Sequence, residues 1–331
     1  MKKQSISLCT VSDKNYLIRT ITLYLSLKKT TTNFKLYVLC LDSLTYKILS
    51  KLKLRDLEPI SIADIEDKEL KKIKSERTWR EYAWTLKSSI IYYLLSNKKI
   101  TNLIYVDSDI TFFENAQNIL KYVKSHSIGI TPHNFPNFLK PKEKTVGKYN
   151  SGVVYFKNDN EGKRCAYDWK EKCIKYCKYE VSDKGVGDQI YLEDWPEKFK
   201  NLIIIQHHGI NLAPWSVSNY EVTKRNNKIY INTDELICYH FHGFKTHSTN
   251  QFTNTFGYSL DKNTKKFIYE PYQALTRQAI SIIMAIVPTY KYGIEKKNMT
   301  MSVINYFYKY IAPAYSKFVE LTGFQYKIYK N

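Results

Sequence analysis

The stretch Leu103-Ile104-Tyr105-Val106-Asp107-Ser108-Asp109-Ile110-Thr111-Phe112-Phe113 constrains this chain more than any other. An apolar run rich in β-branched and aromatic residues reads as a buried strand. It closes on two carboxylates spaced i, i+2 and then resumes. In an extended chain Asp107 and Asp109 share one face while Ser108 takes the other. Carboxylates so placed repel and are costly to desolvate unless a cation lies between them. The simplest reading is a strand end that offers oxygen ligands to a hard divalent metal. A solvated turn or helix cap is the plain alternative, because Asp-x-Asp alone is common in turns.

Strands and helices alternate around this stretch. Ile6 to Val11 and Phe34 to Leu41 read as strands, with Pro59 to Ile62 a brief third. Tyr16 to Leu27 and Leu44 to Lys53 carry a helical period, and Arg80 to Leu95 is a strong helix with Tyr82, Leu86, Ile90 and Leu94 on one face. The Leu103 to Asp109 strand follows. This alternation predicts a mostly parallel, doubly wound α/β sheet. Such sheets bind ligands beyond the carboxyl ends of their strands, so Thr10 to Asp13 and Asp107 to Asp109 are candidates for one pocket.

Pro132 to Lys148, rich in Pro, Asn and Lys, reads as a mobile loop over that pocket. Tyr149 to Phe156 is a strand that opens on a small polar cluster. Lys163 to Tyr179 reads as a helix with Cys165, Trp169, Cys173 and Cys177 on one packing face. Gly185 to Leu192 is a glycine-bracketed loop, and Cys238 to Lys245 a strand ending in a loop with histidine and lysine.

Composition bears on partners. The 51 Lys plus Arg against 31 Asp plus Glu give a formal charge of +20, beside 29 Tyr. A lysine- and tyrosine-rich codon bias explains this, as does attraction to a polyanion: nucleic acid, an anionic membrane surface or a phosphorylated substrate. The lysines are spread along the chain, the aromatics fall on apolar faces, and no RNA-binding sheet signature is present, so nucleic acid is a lesser alternative. The N-terminus lacks the apolar core of a signal peptide, and the 6 Cys contain no Cys-x-x-Cys pair. That predicts reduced thiols in a cytoplasmic protein and no structural zinc. The longest apolar run, Ala279 to Pro288, falls short of the roughly 20 residues a bilayer requires. Ala274 to Val287 and Met301 to Leu321 read as apolar, aromatic and basic helices. They either cap the core or lie on a bilayer, and Lys327 to Lys330 favours a membrane surface. The expected division is an α/β domain over residues 1–265 and a C-terminal helical region over 266–331, suited to docking on a membrane surface or a partner.

Cys9-Thr10-Val11-Ser12-Asp13-Lys14-Asn15-Tyr16, Tyr105 to Asp109, Asn150-Ser151-Gly152-Val153 and His240-Phe241-His242-Gly243-Phe244-Lys245 together resemble glycosyltransferase family 8. Asp188-Gln189 matches the Asp-Gln pair of that family, and the resemblance spans roughly residues 4 to 246. It implies the GT-A fold, a UDP-sugar donor, Mn²⁺ or Mg²⁺, and retention of anomeric configuration. It places Asp107, Asp109 and His240 on the metal, with Ser108 and Lys245 toward the donor phosphates. Thr10, Val11, Asp13 and Tyr16 would line the nucleoside pocket, and Arg80 and Lys87 would reach sugar or phosphate. Asn150, Asp188 and Gln189 would face the donor sugar and the acceptor. Two departures stand out: Lys245 comes one residue early for the family's His-x-x-Gly-x-x-Lys, and Ser151 replaces its usual Ala.

Each residue also has a plain structural role open to it. His240 or His242 could be a core histidine, Asp188 a helix cap, Asn150 a turn residue, and Arg80 and Lys87 solvated helix positions. The expected function is transfer of a hexose to a hydroxyl of a glycan or lipid-linked acceptor, such as lipopolysaccharide or capsule in a bacterium. A sugar-phosphate nucleotidyltransferase is the rival enzyme, but Thr10 to Tyr16 lacks its glycine-rich phosphate loop.

Overall fold

A computed structural model describes residues 5–179 and 186–296. The core is a 7-stranded mixed sheet in the order β3-β2-β1-β4-β7-β6-β8. Its strands are β1 (Ile6–Ser12), β2 (Phe34–Cys40), β3 (Leu57–Ser61), β4 (Asn102–Val106), β6 (Ile128–Pro132), β7 (Tyr149–Lys157) and β8 (Leu202–Ile204). β5 (Ile110–Phe112) leaves this sheet and pairs antiparallel with a strand far along the chain, Cys238–His240. The sheet is less parallel than alternation alone implies. β1, β2, β3 and β4 run parallel, but β7 lies antiparallel between β4 and β6.

The chain moves from β1 outward to β2 and β3, then returns to place β4 on the other side of β1. That reversal opens a crevice at the carboxyl ends of β1 and β4, where helices on opposite faces diverge. The expected pocket therefore falls at the topological switch point.

Side-chain alternation builds the layers. Ile104 and Val106 of β4 join Leu8, Leu36 and Val38 in one apolar layer, under α1 (Leu17–Thr30). Leu103 and Tyr105 turn the other way, joining Leu39, Leu86, Ile90 and Trp169 beneath α2 (Trp79–Asn97) and α3 (Asn160–Lys175). A strand buried on both faces cannot alternate polar with apolar, and β4 does not. Thr78 and Glu81 form a capping box that fixes the start of α2. α3 ends at Lys175, so Cys177 lies just past the helix expected to carry it, although it is buried like the other cysteines.

The C-terminal helix α4 (Glu270–Ile286) caps the core: Ala279, Ile280 and Ile283 pack into the α1 layer. Of the two roles open to the Ala274 to Val287 segment, its buried face matches the first. Met301 to Leu321 lies outside the described residues. Among those described, no helix is long and apolar enough to cross a membrane.

Aromatic residues bind α4 to the functional loops. Tyr272 stacks on Phe241 with ring centroids 3.6 Å apart and 7° between planes, and Tyr239, Phe244 and Tyr269 complete a buried cluster. Many of the tyrosines thus do packing work beside the histidine loop.

Candidate active site

β4 stops at Val106, and Asp107 to Asp109 form a tight turn in which Ile110 N–H donates to Asp107 O at 3.0 Å. The two carboxylates meet through this turn rather than through strand alternation. Phe241 N–H donates to Asp109 O at 2.8 Å, which docks the histidine loop directly on the turn. His240 Nε2 consequently lies 3.2 Å from Asp109 Oδ1 and 3.9 Å from Asp107 Oδ2.

Ligand atoms of Asp107, Asp109 and His240 all fall within 4.8 Å of one another, and no other such group of His, Cys, Asp or Glu occurs among the described residues. Two half-buried hard carboxylates and one buried borderline imidazole fit a divalent cation. His242, two residues on, is not in the cluster. Burial disfavours charge on His240, but Asp109 outweighs it and raises the imidazole above its ordinary range. Burial likewise opposes ionisation of Asp109, yet His240 and Arg19 hold it below the usual carboxylate range.

Lys87 is the second charge centre. Its ammonium lies 3.1 Å from Asp107 Oδ1 and 3.2 Å from Asp188 Oδ2, with side-chain exposures of only 5% for Lys87 and 4% for Asp188. It also donates to Ser151 Oγ at 2.9 Å. Burial alone would lower its pKa, but the two carboxylates outweigh that and raise it. Asp188 shows the opposite balance: burial raises it despite Lys87. One buried lysine thus ties the Asp107 to Asp109 turn to the Asp188-Gln189 segment.

A polar network runs behind the imidazole. Gly152 N–H and Asn211 Nδ2 both donate to Asn150 Oδ1 at 2.9 Å. Asn150 Nδ2 then donates to His133 Nε2 at 3.1 Å and to Gln189 Oε1 at 3.3 Å. Gln189 Nε2 donates to Val146 O at 2.9 Å. Residue 152 has to be glycine, since a Cβ there would sit 2.6 Å from Asn150 Oδ1 and 2.7 Å from His240 Nδ1.

The remaining expected residues divide. Thr10 is fully buried at the end of β1 with its hydroxyl unpartnered among the described residues, and Val11 packs beside it. Asp13 is engaged structurally: Oδ1 accepts from the amides of Asn15 and Tyr16, both at 2.9 Å, and Oδ2 accepts from Trp79 Nε1 at 2.6 Å. Tyr16 is 44% exposed, with the Arg19 guanidinium 4.6 Å from its ring centroid. Ser108 is buried inside the turn. Arg80 is not gathered into this cluster; it stands exposed near the start of α2, over the ring of Tyr179.

Lys245 pairs with Glu295 at 2.6 Å. Glu295 belongs to a strap that crosses the functional loops: its amide donates to Thr246 O at 2.8 Å, and Tyr290 Oη donates to Lys14 O. A cavity of about 420 Å³ lies between this strap and α1, lined by Tyr16, Arg19, Lys291 and Tyr292 among others.

Sequence reasoning missed His133, Asn211 and Arg19. His133 sits in the segment read as a loop, and Asn211 interrupts the apolar Ile210 to Pro214 run without any period to flag it. Only Arg19, a lone cation within the α1 period, left a faint mark. His133 is stacked on Phe135, and burial pushes its pKa down to about 3.

That depression has a measurable consequence. A folded-state value near 3 against an ordinary 6.5 means that the unfolded chain binds the proton more tightly. The stability involved is fully present above about pH 6.5 and is lost as pH falls toward 3. His133→Gln, which does not titrate, is therefore expected to lose stability less steeply than the wild type over that window. Equal slopes in denaturant melts across it would contradict the assignment.

Residues 34–249 match the family model described as nucleotide-diphospho-sugar transferase. Over 294 residues the chain is 31% identical to the uncharacterized protein YfnD of Bacillus subtilis (strain 168), covering 87% of this chain and 94% of that protein. It is 29% identical over 290 residues to YfnF of the same organism, covering 85% and 95%. In structure it is similar to a galactosyltransferase, LgtC, solved in complex with donor and acceptor sugar analogs. That match has a TM-score of 0.53 and 11% identity, over 82% of this chain and 96% of that one. At that identity the likeness is one of fold.

Proposed function

The chain belongs to the nucleotide-diphospho-sugar transferase family, and from that premise we propose that it moves a hexose from a UDP-sugar to a hydroxyl of a glycan or glycolipid, with retention of configuration. The observation that carries this reading is the Asp107, Asp109 and His240 cluster at the switch point of the sheet. These residues would hold Mn²⁺ or Mg²⁺, the imidazole favouring Mn²⁺. When bound, the cation supplies charge neutralisation for a departing nucleoside diphosphate.

The chain's own residues do the rest. Tyr16 offers an exposed ring for a nucleobase at the mouth of the crevice, beside Thr10 and Val11. Arg19, which lines the cavity and donates to Phe244 O at 2.6 Å, would meet the anionic donor. Lys245 can serve the phosphates only after leaving Glu295. Lys87 bridges Asp107 and Asp188, and Asn150 orients Gln189 toward the sugar subsite. The excess of positive charge suits a phosphorylated or lipid-linked acceptor at an anionic membrane surface on the cytoplasmic side. Residues 1–265 would be the catalytic unit and 266–331 the docking segment, with α4 buttressing the first.

A thermal-shift screen of nucleotide sugars with and without Mn²⁺ tests the donor class, and NMR of the product reads its anomeric configuration. Stabilisation by one UDP-sugar that requires metal is the expected result. A folded protein that responds to no nucleotide sugar under any metal condition would overturn the reading.

A further inference from the structure

The hydrogen bonds behind His240 have only one consistent direction, and a backbone amide sets it. Gly152 N–H can only donate, so the Asn150 atom that it meets at 2.9 Å is the carbonyl Oδ1. The second atom that approaches Asn150 Oδ1, also at 2.9 Å, must therefore be the amide nitrogen of Asn211. The other hydrogen of that Nδ2 goes to Thr131 Oγ1 at 2.8 Å. Asn211 Oδ1 is left as a pure acceptor, 3.3 Å from His240 Nδ1.

We infer that Asn211 is a positioning residue that keeps a proton of His240 on Nδ1, so that Nε2 is the nitrogen left to ligate a cation shared with Asp107 and Asp109. Several features hold Asn211 to this task. It is 4% exposed, it adopts a left-handed φ of 60°, and its own amide donates to Cys238 Sγ at 3.3 Å. His240 N–H in turn donates to the carbonyl of Leu212, the next residue, at 2.7 Å, so ring and backbone are oriented from the same short segment. Groups that hold the far nitrogen of a ligating imidazole fix its tautomer and raise metal affinity, and their loss typically weakens binding about 10–100-fold. The inference rests on the proposed metal site and adds to it a hydrogen-bond polarity that the Gly152 amide fixes.

The test compares Asn211→Leu, which fills the space without an acceptor, with Thr131→Val, which removes the partner of the same amide's other hydrogen. Mn²⁺ affinity is read by electron paramagnetic resonance of the free ion. Ring tautomers are read by ¹⁵N-histidine NMR of Zn²⁺-loaded protein. The expected outcome is a loss of roughly 10–100-fold in Mn²⁺ affinity for Asn211→Leu, with Thr131→Val close to wild type. In the wild type the His240 ring should carry its proton on Nδ1 and its metal on Nε2. Equal Mn²⁺ affinity in wild type and folded Asn211→Leu would overturn the inference, as would an equal loss in Thr131→Val. Metal on Nδ1 in the wild type would overturn it whether or not either variant folds. A wild type that binds no Mn²⁺ instead overturns the metal reading on which it stands.

Discussion

Asp109→Asn is expected to abolish metal-dependent sugar transfer, lowering kcat by roughly a thousandfold, the size of effect that follows from losing several kcal/mol of charge stabilisation. The substitution keeps volume and shape and removes only the negative charge beside His240 Nε2, 3.2 Å away. Asp107 is already shared with Lys87, so Asp109 is the carboxylate of the turn that pairs most closely with the imidazole. Without its charge the turn offers one anion where the ligand set needs two. The thermal stabilisation given by Mn²⁺ should vanish along with turnover, and the metal-free protein should also melt somewhat lower, because His240 and Arg19 favour the ionised Asp109 that the variant lacks. A variant that retains Mn²⁺-dependent stabilisation would place the cation elsewhere.

The second large effect is on the fold itself. Lys87→Met should destabilise the metal-free protein by about 3–5 kcal/mol, because removing one member of a buried ionic group leaves the others uncompensated. Asp188, at 4% side-chain exposure, would lose its cation, and burial already raises its pKa. The sign of the pH dependence follows. For an acid whose folded pKa lies above the unfolded one, the penalty is absent below the unfolded value and grows as pH rises through the folded value. The deficit of Lys87→Met relative to wild type should thus be large at pH 7.5 and shrink toward pH 4.5. Urea melts at the two pH values measure it. A deficit that does not change with pH would assign Lys87 a packing role instead.

A buried strand that ends in acid is conspicuous among polar loops, which is why the Asp107 to Asp109 turn is legible in the sequence. Lys245 shows the limit of such reading. Its spacing already departs from the expected pattern, and the fold pairs it with Glu295, which lies 50 residues further along the chain. No local pattern reports a partner so distant.

The sequence by itself determined the alternation of strands and helices, the burial of Leu103 to Val106 on both faces, and the pairing of Asp107 with Asp109. These depend on periodicity and on the cost of desolvating charge, both of which act over a few adjacent residues. The tertiary structure decided that His240, the histidine the resemblance pointed to, rather than His242 joins the carboxylates. His240 does so because Phe241 docks on Asp109 and Asn211 holds the far side of the ring. It also decided that Lys87 bridges two acids, that β7 runs antiparallel, and that His133 is buried and neutral. Each of these turns on contacts between segments far apart in the chain, where geometry and shared burial, not local pattern, set the energy.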